Sequence, residues 1–141
     1  MDRMSPRDTR PAPAGPSVAA ASTARGLAVL LGTSGVLHLV RPAPFDSIVP
    51  RSLPGPARAW TLASGVAELV VAGALASRTT RRQGGALAAA LFVAVFPANV
   101  SMAWRSVRSA RASRVRTVVA VARLPLQWPL VTRSLAVRRA S

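Results

Sequence analysis

Four apolar stretches follow one another along this chain, at about residues 26–40, 60–76, 85–104 and 117–132. Each carries polar groups that hydrocarbon would not accept unpaired. The first holds His38 and the second Glu68; the third includes Pro97 and Asn99, and the fourth Arg123 and Gln127. The third runs for about twenty residues without a charge before its end. At about 1.5 Å per residue it covers roughly 30 Å, one bilayer core. A soluble domain of 141 residues could hide one all-apolar helix, but hardly four. The pattern predicts an all-α protein, a four-transmembrane-helix antiparallel bundle, multi-pass in the cell (inner, cytoplasmic) membrane.

The segments between the stretches set the expected boundaries. Residues 1–22 contain Pro6, Pro11, Pro13 and Pro16 among Ala, Ser, Thr and Arg, with no periodic apolar face, and are expected to be a disordered N-terminal tail. Residues 23–137 form the membrane domain, with helices at about 24–40, 60–76, 85–104 and 117–135, and residues 138–141 a C-terminal tail. A signal peptide over residues 1–43 is the competing reading. Its apolar run ends in Leu39-Val40-Arg41-Pro42 without a small-x-small cleavage pattern, so an uncleaved first helix is expected. Residues 41–58 carry Pro42, Pro44, Pro50, Pro54 and Pro56, a density that argues against helix and sheet. Phe45, Ile48, Val49 and Leu53 make this Pro-rich loop too apolar for a tether, and it is predicted to fold onto the bundle as a cap. Residues 77–83 are a short connection, which makes the second and third predicted helices antiparallel neighbours.

The net charge is +15, from 19 basic and 4 acidic residues, and every basic residue is arginine. Such a charge raises nucleic acid as a partner. The arginines fall mostly between the apolar stretches, however, without interleaved aromatics or a binding motif. Helix-flanking residues that meet anionic lipid headgroups explain them better. Membrane lipids are therefore expected partners and nucleic acid is not. With the N-terminus inside, ten arginines lie on the cytoplasmic side and eight outside, which favours both termini inside. The chain has no cysteine, one histidine and four carboxylates, two of them in the tail. That argues against disulfides, thiolate metal sites and a dedicated metal centre.

In an up-and-down bundle, depth follows from position. Measured from the side bearing the first and third connections, His38, Asn99, Arg123 and Glu68 fall within roughly 4–12 Å of one surface, and Gln127 lies a turn below Arg123. Four helices thus bring polar groups to one half of the bilayer. Glu68 and Arg123 have opposite charge and similar depth. Each alone costs roughly 2.5–3.5 kcal/mol near a helix centre, so they are expected to pair, with Asn99, Gln127 and Ser64 completing the hydrogen bonds. Ser64 and Gly65 offer small residues for close helix packing. Pro97 is expected to kink the third helix and free carbonyls near the cluster. The cluster could brace the helices, bind a polar headgroup or small molecule, or relay protons through His38 and Glu68.

At these residues the chain resembles the DoxX-like family of small bacterial four-helix integral membrane proteins. The likeness lies in GVLHLVRPAPFDSIVPRSLPG (35–55), SGVAEL (64–69), FPANVSMA (96–103) and RLPLQWPL (123–130), in that order, and covers roughly residues 24–137. It implies association with quinone-linked or oxidative-stress membrane complexes for some relatives. No catalytic constellation accompanies it, so a non-catalytic subunit or scaffold requiring no cofactor is expected. The alternatives are a quinone- or lipid-binding accessory, with a bound quinone and redox-complex subunits as partners, and a small proton-coupled carrier. The carrier would call for a homo-oligomer, because four helices are few for alternating access.

Overall fold

The computed structural model describes residues 18–110 and 112–141, and its regular elements are all helical. They are α1 (Val18–Val40), α2 (Ala43–Asp46), α3 (Ala57–Ala76), α4 (Arg81–Arg108) and α5 (Arg114–Ala140). The expected tail lies outside the described residues up to position 17. Residues 18–22, also assigned to it, instead begin α1.

Proline sets the boundaries in the first half of the chain. α1 stops just before Arg41-Pro42, because the residue ahead of a proline avoids the helical region. α3 starts directly after Pro56, whose backbone is extended at φ −74°, ψ 137°. The loop between them is not free of helix, as its proline content suggested: α2 is a single turn. Pro42 occupies its N-cap and Pro44 its first turn, where a missing N–H costs no hydrogen bond. α4 and α5 run past their expected limits of 85–104 and 117–135. A length criterion tuned to lipid stops at charges, but arginine is a good helix former and the helices continue through the flanking arginines. Ser113 caps α5, its hydroxyl accepting from the Arg116 N–H at 3.2 Å.

The four long helices form a closed ring in the order α1, α3, α4, α5. α1 packs along α3 and α4 along α5, whereas the α3–α4 and α1–α5 seams are thinner. At the α1–α3 crossing a Cβ on Gly35 would lie 2.8 Å from the Gly65 carbonyl oxygen, so neither helix tolerates a side chain there. The α3–α4 turn is held by Arg81, which is buried. Its Nε donates to Leu75 O at 3.2 Å and its Nη2 to Ala76 O at 3.4 Å, capping the negative end of α3.

The core divides in two. Ala24, Leu27, Leu31, Val71, Ala72, Leu75, Ala88, Phe92 and Val137 fill the half nearest the α3–α4 turn. Met102, Ala103 and Ala120 form a smaller cluster at the other end, with Ile48 of the proline-rich loop packed against it. α1, α3 and α4 are long and apolar enough to cross a membrane. α5 falls short of that criterion, because Arg123, Gln127, Arg133 and two prolines interrupt its apolar run.

Candidate functional site

Between the two clusters lies a polar layer. His38 and Glu68 meet across the α1–α3 crossing, with Nδ1 3.3 Å from Oε2. Nδ1 also lies 2.8 Å from the Ser34 carbonyl oxygen. A carbonyl only accepts, so Nδ1 carries a proton and donates it there. Glu68 is 7% exposed, and its buried Oε2 is left without a well-formed hydrogen bond of its own. On the opposite side of the layer, Asn99 Nδ2 donates to Gln127 Oε1 at 3.2 Å, and Gln127 Nε2 donates to the Phe92 carbonyl. Pro97 lacks an N–H and leaves the Val93 carbonyl without its helical donor, yet the carbonyl that Gln127 uses is the one before it.

The expected Glu68–Arg123 pair is not formed: among the described residues no ion pair joins them. The cause is helix order. α3 and α5 sit diagonally across the ring, whereas α1 touches α3 closely enough at Gly35 and Gly65 to bring His38 to the carboxylate. Ser64 is half-buried on α3 beside this crossing. Arg123 is exposed, although Gln127 one turn away is buried.

The space left between them is a cavity of about 390 Å³. Ser34, Glu68, Asn99, Arg123 and Gln127 supply its polar wall, and leucines of α1, α4 and α5 with Phe92 supply the apolar one. Leu30 and Leu126 both line it and are both exposed, at 46% and 57%, so it opens sideways at the thin α1–α5 seam. A mostly apolar concavity of this size with a few convergent polar groups has the makeup of a small-molecule site. Among the described residues no group of His, Asp or Glu side chains is arranged to hold a metal ion.

A family model described as Domain of unknown function (DUF8561) matches residues 27–138. The chain belongs to the DUF8561 family. No curated protein and no solved structure matches it. The DUF8561 match spans every residue of the polar layer, from Ser34 to Gln127, and leaves out the N-terminal segment that precedes Leu27.

Three contributors to this DUF8561 site escaped the sequence reading: Ser34, whose carbonyl accepts the hydrogen bond from His38 Nδ1, Arg133 at the cavity edge, and Phe45 as a ring partner. Ser34 lies four residues before His38, a helical spacing that could have flagged it. Phe45 stacks on His38 at 3.9 Å between ring centres, so the proline-rich loop lies over the polar layer. The loop is fastened by Arg105 Nη2, which donates to Ile48 O at 2.7 Å, and by Arg58 Nε, which donates to Asp46 Oδ2 at 2.8 Å.

The nearby Thr61 hydroxyl and then the Arg58 guanidinium hold the Asp46 carboxyl below its usual range, against the opposing effect of burial. A depressed folded-state value means the contribution is fully present above the unfolded carboxylate range. It is lost as pH falls through the lowered value. Trp60 donates from Nε1 to Pro54 O at 2.8 Å and reports on this loop. With Trp104 and Trp128 changed to Phe, Trp60 emission should stay constant through mildly acidic pH and shift only below the ordinary carboxylate range. Asp46→Asn should abolish that acid transition; an unchanged transition would remove Asp46 as its origin.

Proposed function

We propose that this is a non-catalytic, four-helix protein of the inner membrane whose lateral cavity holds the head of an amphiphile, an isoprenoid quinone or a lipid. The observation that carries this reading is the cavity itself. It stands where a bracing Glu68–Arg123 pair was expected, with unfilled hydrogen-bonding groups on one wall and apolar side chains on the other. Arg123 can donate to a carbonyl or phosphate oxygen of a head, and Glu68 can accept from a hydroxyl or amine. The tail would leave through the α1–α5 seam into hydrocarbon.

α5 acts as the fourth span in this reading. Val118, Val119, Val121, Leu126 and Trp128 are exposed along it, while Gln127 and Ser134 are buried. Its low hydropathy therefore comes partly from residues that lipid does not meet. Trp128 is 76% exposed, which water would penalise and a bilayer would not. The DoxX-like segments at residues 35–55, 64–69, 96–103 and 123–130 include most of the polar layer, which supports a related role beside a membrane redox complex.

The test is mass spectrometry of lipids and quinones retained after gentle detergent purification. Wild type should hold an amphiphile near one per chain. Arg123→Ala should lower its occupancy about tenfold or more, the size of one charge-assisted hydrogen bond. A wild-type protein without such a molecule, or equal retention by a folded Arg123→Ala, would sink the reading.

A further inference from the structure

Some arginines at each end of the bundle are occupied within the fold. At the end bearing the proline-rich loop, Arg58 pairs with Asp46, Arg105 donates to Ile48 O, and Arg108 lies over the Trp104 ring at 4.0 Å. At the end bearing the α3–α4 turn, Arg81 is occupied by the carbonyls of α3. Its neighbour Arg82 is exposed and shares a groove of about 440 Å³ with Arg138 and Arg139. Among the described residues Arg82 and Arg138 make no side-chain hydrogen bond or ion pair, and Arg139 makes only one, from Nε to Leu135 O at 3.3 Å.

This convergence is built into the packing. A Cβ on Gly85 would lie 2.7 Å from Arg138 N, so the first turns of α4 lie directly against the last turns of α5. Ser134 and Val137 are fully buried just before the arginines and fix the rotation of α5. The three guanidinium groups therefore start from anchored backbone on both sides of one groove. Like charges held this way repel, and the only described side-chain carboxylates, Asp46 and Glu68, lie beside Arg58 and His38 rather than in this groove, whose remaining lining is Leu135 and Ser141.

We propose that Arg82, Arg138 and Arg139 form a binding site for a phosphate oxyanion, supplied by the headgroup of an anionic phospholipid. The guanidinium fork fits phosphate oxygens in pairs. The level is right for a headgroup, since α3 and α4 are both apolar enough to cross and meet at this end. The site is separate from the lateral cavity and does not depend on what that cavity holds.

The experiment uses the full chain in a mild neutral detergent, with binding followed by native mass spectrometry and thermal shift. Three probes are compared: dioleoyl phosphatidylglycerol, dioleoyl phosphatidylcholine and inorganic phosphate. Phosphatidylglycerol should bind saturably and phosphatidylcholine should not. The triple change Arg82→Gln, Arg138→Gln, Arg139→Gln should weaken phosphatidylglycerol on the order of a hundredfold, at about a factor of five per arginine. The control triple Arg108→Gln, Arg114→Gln, Arg116→Gln removes the same charge from the other end and should leave binding within about twofold. Saturable inorganic phosphate with no lipid binding, lost in the first triple only, keeps the oxyanion site and changes its source. Equal losses in both triples, or none in the first while helicity is retained, would overturn the site.

Discussion

His38→Leu should destabilise the bundle by about 1–3 kcal/mol, the usual penalty for leaving a buried polar group without its partner. Glu68 is buried, and His38 is the basic side chain in contact with it. Removing the imidazole leaves a carboxylate facing apolar α1. The double change His38→Leu with Glu68→Leu removes the carboxyl group as well and should recover about 1 kcal/mol or more of that loss. Thermal unfolding in detergent, monitored by helicity, measures all corners of this cycle. The parallel cycle of Glu68→Leu with Arg123→Leu should show the smaller coupling, because those two face each other across a cavity without an ion pair. If the Arg123 cycle shows the larger coupling, His38 is not the partner of Glu68.

The second large effect is steric. Gly35→Val and Gly65→Val should each cost about 3 kcal/mol, near the upper end of overpacking penalties. A Cβ on Gly65 would lie 2.8 Å from the His38 Cβ and 3.1 Å from the Gly35 carbonyl oxygen. On Gly35 it would meet the Gly65 carbonyl oxygen at 2.8 Å. Backbone cannot swing aside as a side-chain tip can, so α1 and α3 must separate, and His38 must leave Glu68 with them. Gly26 and Gly73 are the internal controls, since a Cβ there meets nothing within 4 Å. Gly26→Ala and Gly73→Ala should be neutral or stabilise by about 0.5–1 kcal/mol through helix propensity. Similar losses at all four positions would argue against the tight crossing.

The sequence carried the helices well and the pairings badly, for one physical reason. An apolar run with proline at its edges specifies where a helix lies, and position along it specifies depth. That brought His38, Glu68, Asn99, Arg123 and Gln127 to one level in the sequence argument. Depth says nothing about which helix is next to which. Glu68 and Arg123 matched in charge and height, but ring order set them diagonally apart and handed Glu68 to His38. Arg81 shows the same gap. It reads as one more flanking arginine, and only the fold shows it turned inward onto the end of α3. The one-turn α2 was hidden for a different reason, because proline opposes helix in general and is accepted in its first turn.

The uneven seams of the ring also bear on how anything could get in. α1 with α3, and α4 with α5, are like two boards, each glued along its length, joined along the α3–α4 seam by the short turn at residues 77–80 and, at the other end, by the Arg105 bond to Ile48 O. The opposite edge, between α1 and α5, is where the cavity reaches the surface. Under the proposed amphiphile reading, such an object would open as a book does. A few degrees at the spine would widen the far edge while every helix kept its hydrogen bonds. Exchange with the surroundings would then require neither unwinding nor a gap at either end of the bundle. A crosslink tying Leu30 to Leu126 would hold the book shut with both boards intact.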